Sequence, residues 1–223
     1  MTAATTGRLA HGARRAGRAA LVLASAAASG MLIGAALQKV AGNRMAPWII
    51  GRAAGVCAYL LLVLLVLLGL ALSHPWRSRV RRPSATSRIR AHVALSVFTL
   101  GFTVLHVVVL ATDRYAGVGW WGAFVPMGAS YRPAAVTLGI VGVDVALLVG
   151  VSAAVAGRLP RRLWWPLHKA AALTLVLIWT HGVLAGGDTP ALLGLYLATG
   201  LLVLAAAISR YAARTPAEAV EDR

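Results

Sequence analysis

Apolar residues run through this chain in long stretches, separated by short segments rich in arginine or tryptophan. Six stretches near membrane-crossing length stand out, at about 18–40, 47–73, 89–112, 133–157, 164–184 and 190–210. A helix rises about 1.5 Å per residue and a hydrocarbon core is about 30 Å thick, so each stretch predicts one transmembrane helix. The first is the weakest, being mostly Ala, Gly and Ser. Its Arg14-Arg15 prelude and ASAAASG run also fit an export signal. Against that, apolar character continues through Met31, Leu32 and Ile33, and Gly30 with Gly34 suits close helix packing. The pattern is therefore read as an all-α membrane protein, a six-transmembrane-helix bundle. A basic arm at 1–17 precedes it and a short tail at 211–223 follows, with no soluble domain expected after the last span.

Charge then orients the spans. Arg8, Arg14, Arg15 and Arg18, Arg77, Arg79, Arg81, Arg82, Arg88 and Arg90, Arg158, Arg161 and Arg162, and Arg210, Arg214 and Arg223 all fall on one side. The other side holds Lys39, Arg44, Arg52, Arg114 and Arg132, beside Asp113 and Asp188. The positive-inside rule places both termini in the cytoplasm. Trp48, Trp76, Trp120, Trp121, Trp164 and Trp165 sit at span ends, where amphipathic rings prefer the interface, and Trp179 is the exception.

Composition agrees, with 59% hydrophobic and 13% charged residues and a mean hydropathy of +0.76. The net charge of +16 does not make this a nucleic-acid binder, because the arginines cluster between apolar runs and do not line a soluble face. One cysteine, Cys57, excludes an intrachain disulfide and any thiolate-built iron–sulfur or zinc site, and reads as a small buried residue.

The chemistry lies in four histidines. His92 and His106 have thirteen residues between them in AHVALSVFTLGFTVLHVVV, and His168 and His181 have twelve between them in LHKAAALTLVLIWTHG. Each pair spans roughly 20 Å of helix, too far for two histidines of one helix to share a metal. The third and fifth spans run in the same direction, so His92 pairs with His168 at one depth and His106 with His181 at the other. Neutral imidazole is a good iron ligand, and a haem held between two imidazoles has no open coordination position. His11 and His74 are expected in water or headgroups. One detail is uneven: fourteen steps leave His92 and His106 about 40° apart around their helix, but thirteen leave His168 and His181 about 140° apart. Either the fifth helix is distorted, with Pro166 contributing, or the two haems are displaced sideways.

This histidine spacing resembles that of the ferric reductase-like transmembrane domain, the membrane core of ferric reductases and NADPH oxidases. The likeness covers roughly 18–210. Segments GRAAGVCAYLLL at 51–62, LHVVVLATD at 105–113, YRPAAVTLG at 131–139, RLWWPLHKAA and THGVLAGGD are similar to bacterial members. The resemblance implies two b-type haems and transmembrane electron transfer in a bacterial cytoplasmic membrane. The chain would be the electron-transfer component of an oxidoreductase, with no catalytic residue of its own. Full-length members continue into a flavin- and NADPH-binding region that has no counterpart here. The donor is then a separate protein, a quinol, or FAD or FMN carried elsewhere, and the acceptor is extracytoplasmic. The chain is also similar to the haem-bearing membrane subunit of bacterial methionine sulfoxide reductase systems, which keeps fewer of the histidines.

Five further positions bear on the site. Arg52 and Arg132, near the outer ends of spans two and four, are candidates to meet haem propionates, with interfacial snorkelling as the alternative. Asp144, in the middle of span four, is expected to face the bundle interior as polar glue or as a partner orienting a histidine. Phe98 and Phe102 lie between the two depths and are read as packing. Two other readings stay open: a haem-free transporter or structural membrane subunit, with Asp144 as its midplane site, and a quinol-linked cytochrome b.

Overall fold

The computed structural model describes residues 43–77 and 83–213. The expected first span at 18–40 and the arm at 1–17 lie outside these residues, as does all but the start of the tail. The chain divides into two units, Met1–Ala46 and Pro47–Arg223, and the architecture below is that of the second. Its helices are α1 (Ala46–Ser73), α2 (Ala85–Thr112), α3 (Gly119–Phe124), α4 (Pro133–Ala154), α5 (Arg161–Lys169), α6 (Ala171–Ala185) and α7 (Thr189–Ala212). No strand occurs among the described residues.

Among the described residues five helical segments are long and apolar enough to cross a membrane: α1, α2, α4, α5 together with α6, and α7. Their bounds fall within a few residues of spans two to six, because arginine and proline punctuate the apolar runs. Pro133 opens α4 and Pro190 opens α7, where a missing N–H costs nothing. Hydroxyls inside the spans bond back to their own helix: Thr99 to the Leu95 carbonyl, Thr103 to that of Thr99, Ser96 to that of His92. A hydrocarbon environment demands that closure.

The core lies between α1, α6 and α7, where Tyr59, Leu62, Val63, Leu175 and Tyr196 are buried together. Tyr59 also hydrogen-bonds Thr199, and Trp179 donates from Nε1 to the Tyr196 carbonyl at 3.1 Å. The tryptophan that fell outside the interfacial pattern is thus a link between α6 and α7. On the other side of α6, Gly142 of α4 brings the backbones close, since a Cβ there would lie 2.8 Å from Ile178 Cδ1. By contrast α2 buries only Ala111, and Val97, Phe98, Leu100 and Val104 are exposed. Such faces suit acyl chains. Cys57 is exposed on α1, not buried as the sequence suggested.

Contacts fix which ends lie together. Trp48 meets Tyr115 and Tyr131 edge-on, Arg52 pairs with Asp188, and Tyr131 donates to the Ala185 carbonyl. The start of α1, the end of α2, the start of α4, the end of α6 and the start of α7 therefore share an aromatic end. At the other end Arg210 Nε donates to Ser73 Oγ and His74 Nε2 lies 3.5 Å from Ser209 Oγ. Arg77, Arg88, Arg90, Arg158, Arg161 and Arg162 belong to this arginine-rich end. Consequently α2 and the α5–α6 segment run the same way.

Candidate metal centre

The structure brings together both expected histidine pairs. His92 and His168 have ring centroids 6.3 Å apart with planes at 61°. His106 and His181 are 6.4 Å apart at 80°. Two imidazoles on opposite sides of one metal atom, with metal–nitrogen bonds of about 2.0–2.1 Å and a ring radius of about 1.2 Å, put their centroids about 6.4–6.6 Å apart. Both pairs stand close to that separation, at 6.3 and 6.4 Å. The rings bridge helices that are not otherwise closely packed, as α2 packs closely against neither α5, which carries His168, nor α6, which carries His181.

At the aromatic end the tautomer is set by the backbone. His106 Nδ1 lies 2.6 Å from the Gly51 carbonyl, and His181 Nδ1 lies 2.7 Å from the Ala135 carbonyl. A carbonyl only accepts, so each Nδ1 carries the proton and each Nε2 holds the lone pair. Among the described residues neither Nε2 has a hydrogen-bond partner. This is how ligating histidines are usually oriented, with the rear N–H held and the other nitrogen offered.

Glycines make room for those rings. A Cβ at Gly55 would lie 2.7 Å from His106 Nδ1, and one at Gly139 would lie 2.8 Å from His181 Nδ1. Gly69 stands against His92 more loosely, its Cβ 3.3 Å from Cε1. These positions escaped the sequence reading, although a signal was there. Gly55 and Gly69 are separated by the same number of residues as His92 and His106, on adjacent segments of opposite direction.

The arginine-rich pair is held differently. His168 stacks on Trp164, with centroids 5.4 Å apart at 24°, and on Trp165 at 6.4 Å and 25°. His92 approaches the Leu65 backbone outside strict hydrogen-bond geometry, and Nδ1 of His168 is buried without a hydrogen bond. The angular mismatch within the fifth span is met by a break: α5 ends at Lys169, the Ala170 N–H bonds the Leu167 carbonyl at 3.0 Å in a tighter turn, and α6 starts at Ala171. The break falls one turn past Pro166, between the two histidines.

The remaining candidates are placed as follows. Arg52 bonds the Asp188 carboxylate at 2.7 Å and lies over the Trp48 ring. Arg132, in a left-handed conformation with φ 40°, donates from a terminal nitrogen to the Leu184 carbonyl at 2.5 Å. It thereby caps the C-terminus of α6, where a cation suits the exposed carbonyls. His74 accepts from the Trp76 N–H at the arginine-rich end. Phe98 is 61% exposed and fills no gap in the packed core.

Asp144 overturns its expectation. The buried face of α4 carries Ala135, Gly142, Val149 and Ser152, and Asp144, two residues past Gly142, is exposed on the opposite side. Among the described residues it does not face the packed core and has no histidine contact.

Among the described residues no group of three or more His, Cys, Asp or Glu converges as for a bare metal ion. Each pair supplies two donors only. No family model matches the chain, and no curated protein or solved structure matches it.

Proposed function

We propose that this chain is a transmembrane electron conduit of the ferric reductase-like type, with one b-type haem held by His92 and His168 and a second by His106 and His181. The observation that carries the proposal is the pair of histidine–histidine separations, 6.3 and 6.4 Å, both close to what two imidazoles holding one metal between them would need. Two donors per site leave the other coordination positions to the ligand itself, which a tetrapyrrole satisfies and a bare zinc or copper ion does not. Bound there, each haem supplies a one-electron couple without an open position for oxygen.

The protein's own residues do the rest. The Gly51 and Ala135 carbonyls fix the ligating tautomer at the aromatic end, and Trp164 and Trp165 fix the plane of His168 at the other. Apolar helices keep water away from both. Fourteen residues of helix separate the depths by roughly 20 Å, most of a hydrocarbon core about 30 Å thick. By the positive-inside rule the arginine-rich end is cytoplasmic, in a bacterial cell membrane. A flavoprotein or quinol donor is assigned to that side and an extracytoplasmic acceptor to the aromatic side. Outward movement of an electron follows the membrane potential, by about 2.3 kcal/mol per 100 mV.

Proteoliposomes test this. With ferricyanide trapped inside and dithionite outside, vesicles bearing the wild-type chain bleach the trapped acceptor, and those bearing His92→Ala or His106→Ala do so at least tenfold more slowly. Equal rates for wild type, variants and empty vesicles contradict the proposal.

A further inference from the structure

At the arginine-rich end, one helical turn before each histidine, stands a buried donor with no acceptor. On α2 it is Nε of Arg88, four residues before His92, and on α5 it is Nε1 of Trp164, four residues before His168. The two helices run in the same direction, and the two histidines are 6.3 Å apart. The donors are thus brought to one level on either side of the pair, about 6 Å nearer the membrane surface than the histidine level. Leaving a buried N–H unpaired is costly, more so on a cation, and native proteins rarely do so. Neither group can accept a hydrogen bond, so the missing partner is an acceptor, and for a guanidinium an anionic one.

The aromatic end shows the contrast. Arg52 there has the Asp188 carboxylate, and Arg132 has backbone carbonyls. Among the described residues no acidic residue pairs with Arg88. Trp164 keeps its ring face on His168, so its N–H edge is held in place beside the ligand. Both donors also lie in the first turn of their helices, where the backbone dipole favours negative charge.

We infer that Arg88 and Trp164 receive the two propionate carboxylates of the haem held by His92 and His168. This rests on the haem reading above. Guanidinium supplies a charge-assisted bond and indole a neutral one. Together they orient the macrocycle with its acidic edge toward the arginine-rich surface and favour its reduced state, since a nearby cation offsets the carboxylate charge.

The test is a redox titration of the purified full chain followed by absorption, taking as the local component the one that His92→Ala removes. Arg88→Leu is expected to shift that component at least tenfold toward oxidation, 59 mV for one electron. Arg88→Lys restores most of the shift, and Trp164→Phe, which keeps the ring stack, moves it in the same sense by less. The other component stays in place as an internal reference. Arg88→Gln replaces the leucine variant if that does not accumulate. A measurement on the wild type alone stands beside these: apoprotein is expected to take up haem at this site at least tenfold more tightly than haem dimethyl ester, which lacks the carboxylates. Unmoved potentials in the variants, or equal uptake of haem and ester, overturn the inference while the electron-conduit reading stands. A wild-type chain that binds no haem overturns that reading instead.

Discussion

The two histidine pairs have nearly equal separations, 6.3 and 6.4 Å, yet are held by different physics. At the aromatic end, backbone carbonyls of α1 and α4 grip the rear nitrogens of His106 and His181. Glycines let those backbones approach until no Cβ would fit. At the arginine-rich end His92 meets the Leu65 backbone only loosely, the rear nitrogen of His168 is unbonded, and His168 is set by its tryptophans. One pair is locked through two close directional bonds, and in the other His168 is held through stacking and contact. The difference teaches that ligand spacing along a span specifies where a site falls, whereas the neighbouring spans specify how rigid it is.

The largest expected effect comes from the ligands. His181→Ala removes the aromatic-end spectral component completely and leaves the arginine-rich component intact, read in reduced-minus-oxidised spectra. Simultaneous loss of both would mean that the pairs do not behave as separate sites.

Glycine substitutions come next and sharpen the contrast. Gly55→Ala and Gly139→Ala drive a methyl to 2.7 and 2.8 Å from a ring nitrogen. Overpacking of this kind costs about 1–3 kcal/mol. Haem retention at the aromatic end is expected to fall by about tenfold, at roughly 1.4 kcal/mol per decade. Gly69→Ala meets His92 at 3.3 Å and is expected to cost about 1 kcal/mol or less, a shift the ring can absorb. Transfer of haem to a scavenger protein measures all three, and a Gly69 effect as large as that at Gly139 would break the distinction.

A smaller effect concerns ring mobility. Each rear hydrogen bond is worth about 0.5–1.5 kcal/mol net. Carbon monoxide added to the reduced chain is therefore expected to displace His168, whose rear nitrogen is unbonded, about tenfold more readily than His106 or His181. The fraction sensitive to His92→Ala reports it.

The smallest is Asp188→Asn. The Arg52–Asp188 pair joins α1 to α7, but the Asp188 side chain is 60% exposed, so screening limits its worth to about 0.2–1 kcal/mol. Thermal unfolding in detergent should show a slight loss that shrinks as salt rises.

Much of this was legible in the sequence. Runs of apolar residues between arginines mark α1, α2, α4 and α7 to within a few residues, since length and charge are one-dimensional signals. The pairing of His92 with His168 and of His106 with His181 followed from depth alone. Pro166 and the uneven angle within the fifth span left open a distorted helix or displaced haems, and the structure has a break at Ala170. The face that Asp144 presents could not be read, because α4 is apolar all round and its packing face is chosen by Gly142 and Ser152 against neighbours far away in sequence. Cys57 failed for the same reason. The carbonyl partners of the histidines depend on register between spans, which local pattern does not carry, and the short α3 has too few residues to announce itself.

The most direct test of the central claim is the haem content of the purified chain, made with ample haem supply and quantified by pyridine haemochrome against protein mass. Two b-type haems per chain, each with the low-spin ferric signature of bis-imidazole ligation, are predicted. A folded preparation without haem, or one whose haem is unchanged when His106 and His168 are both replaced, would contradict it.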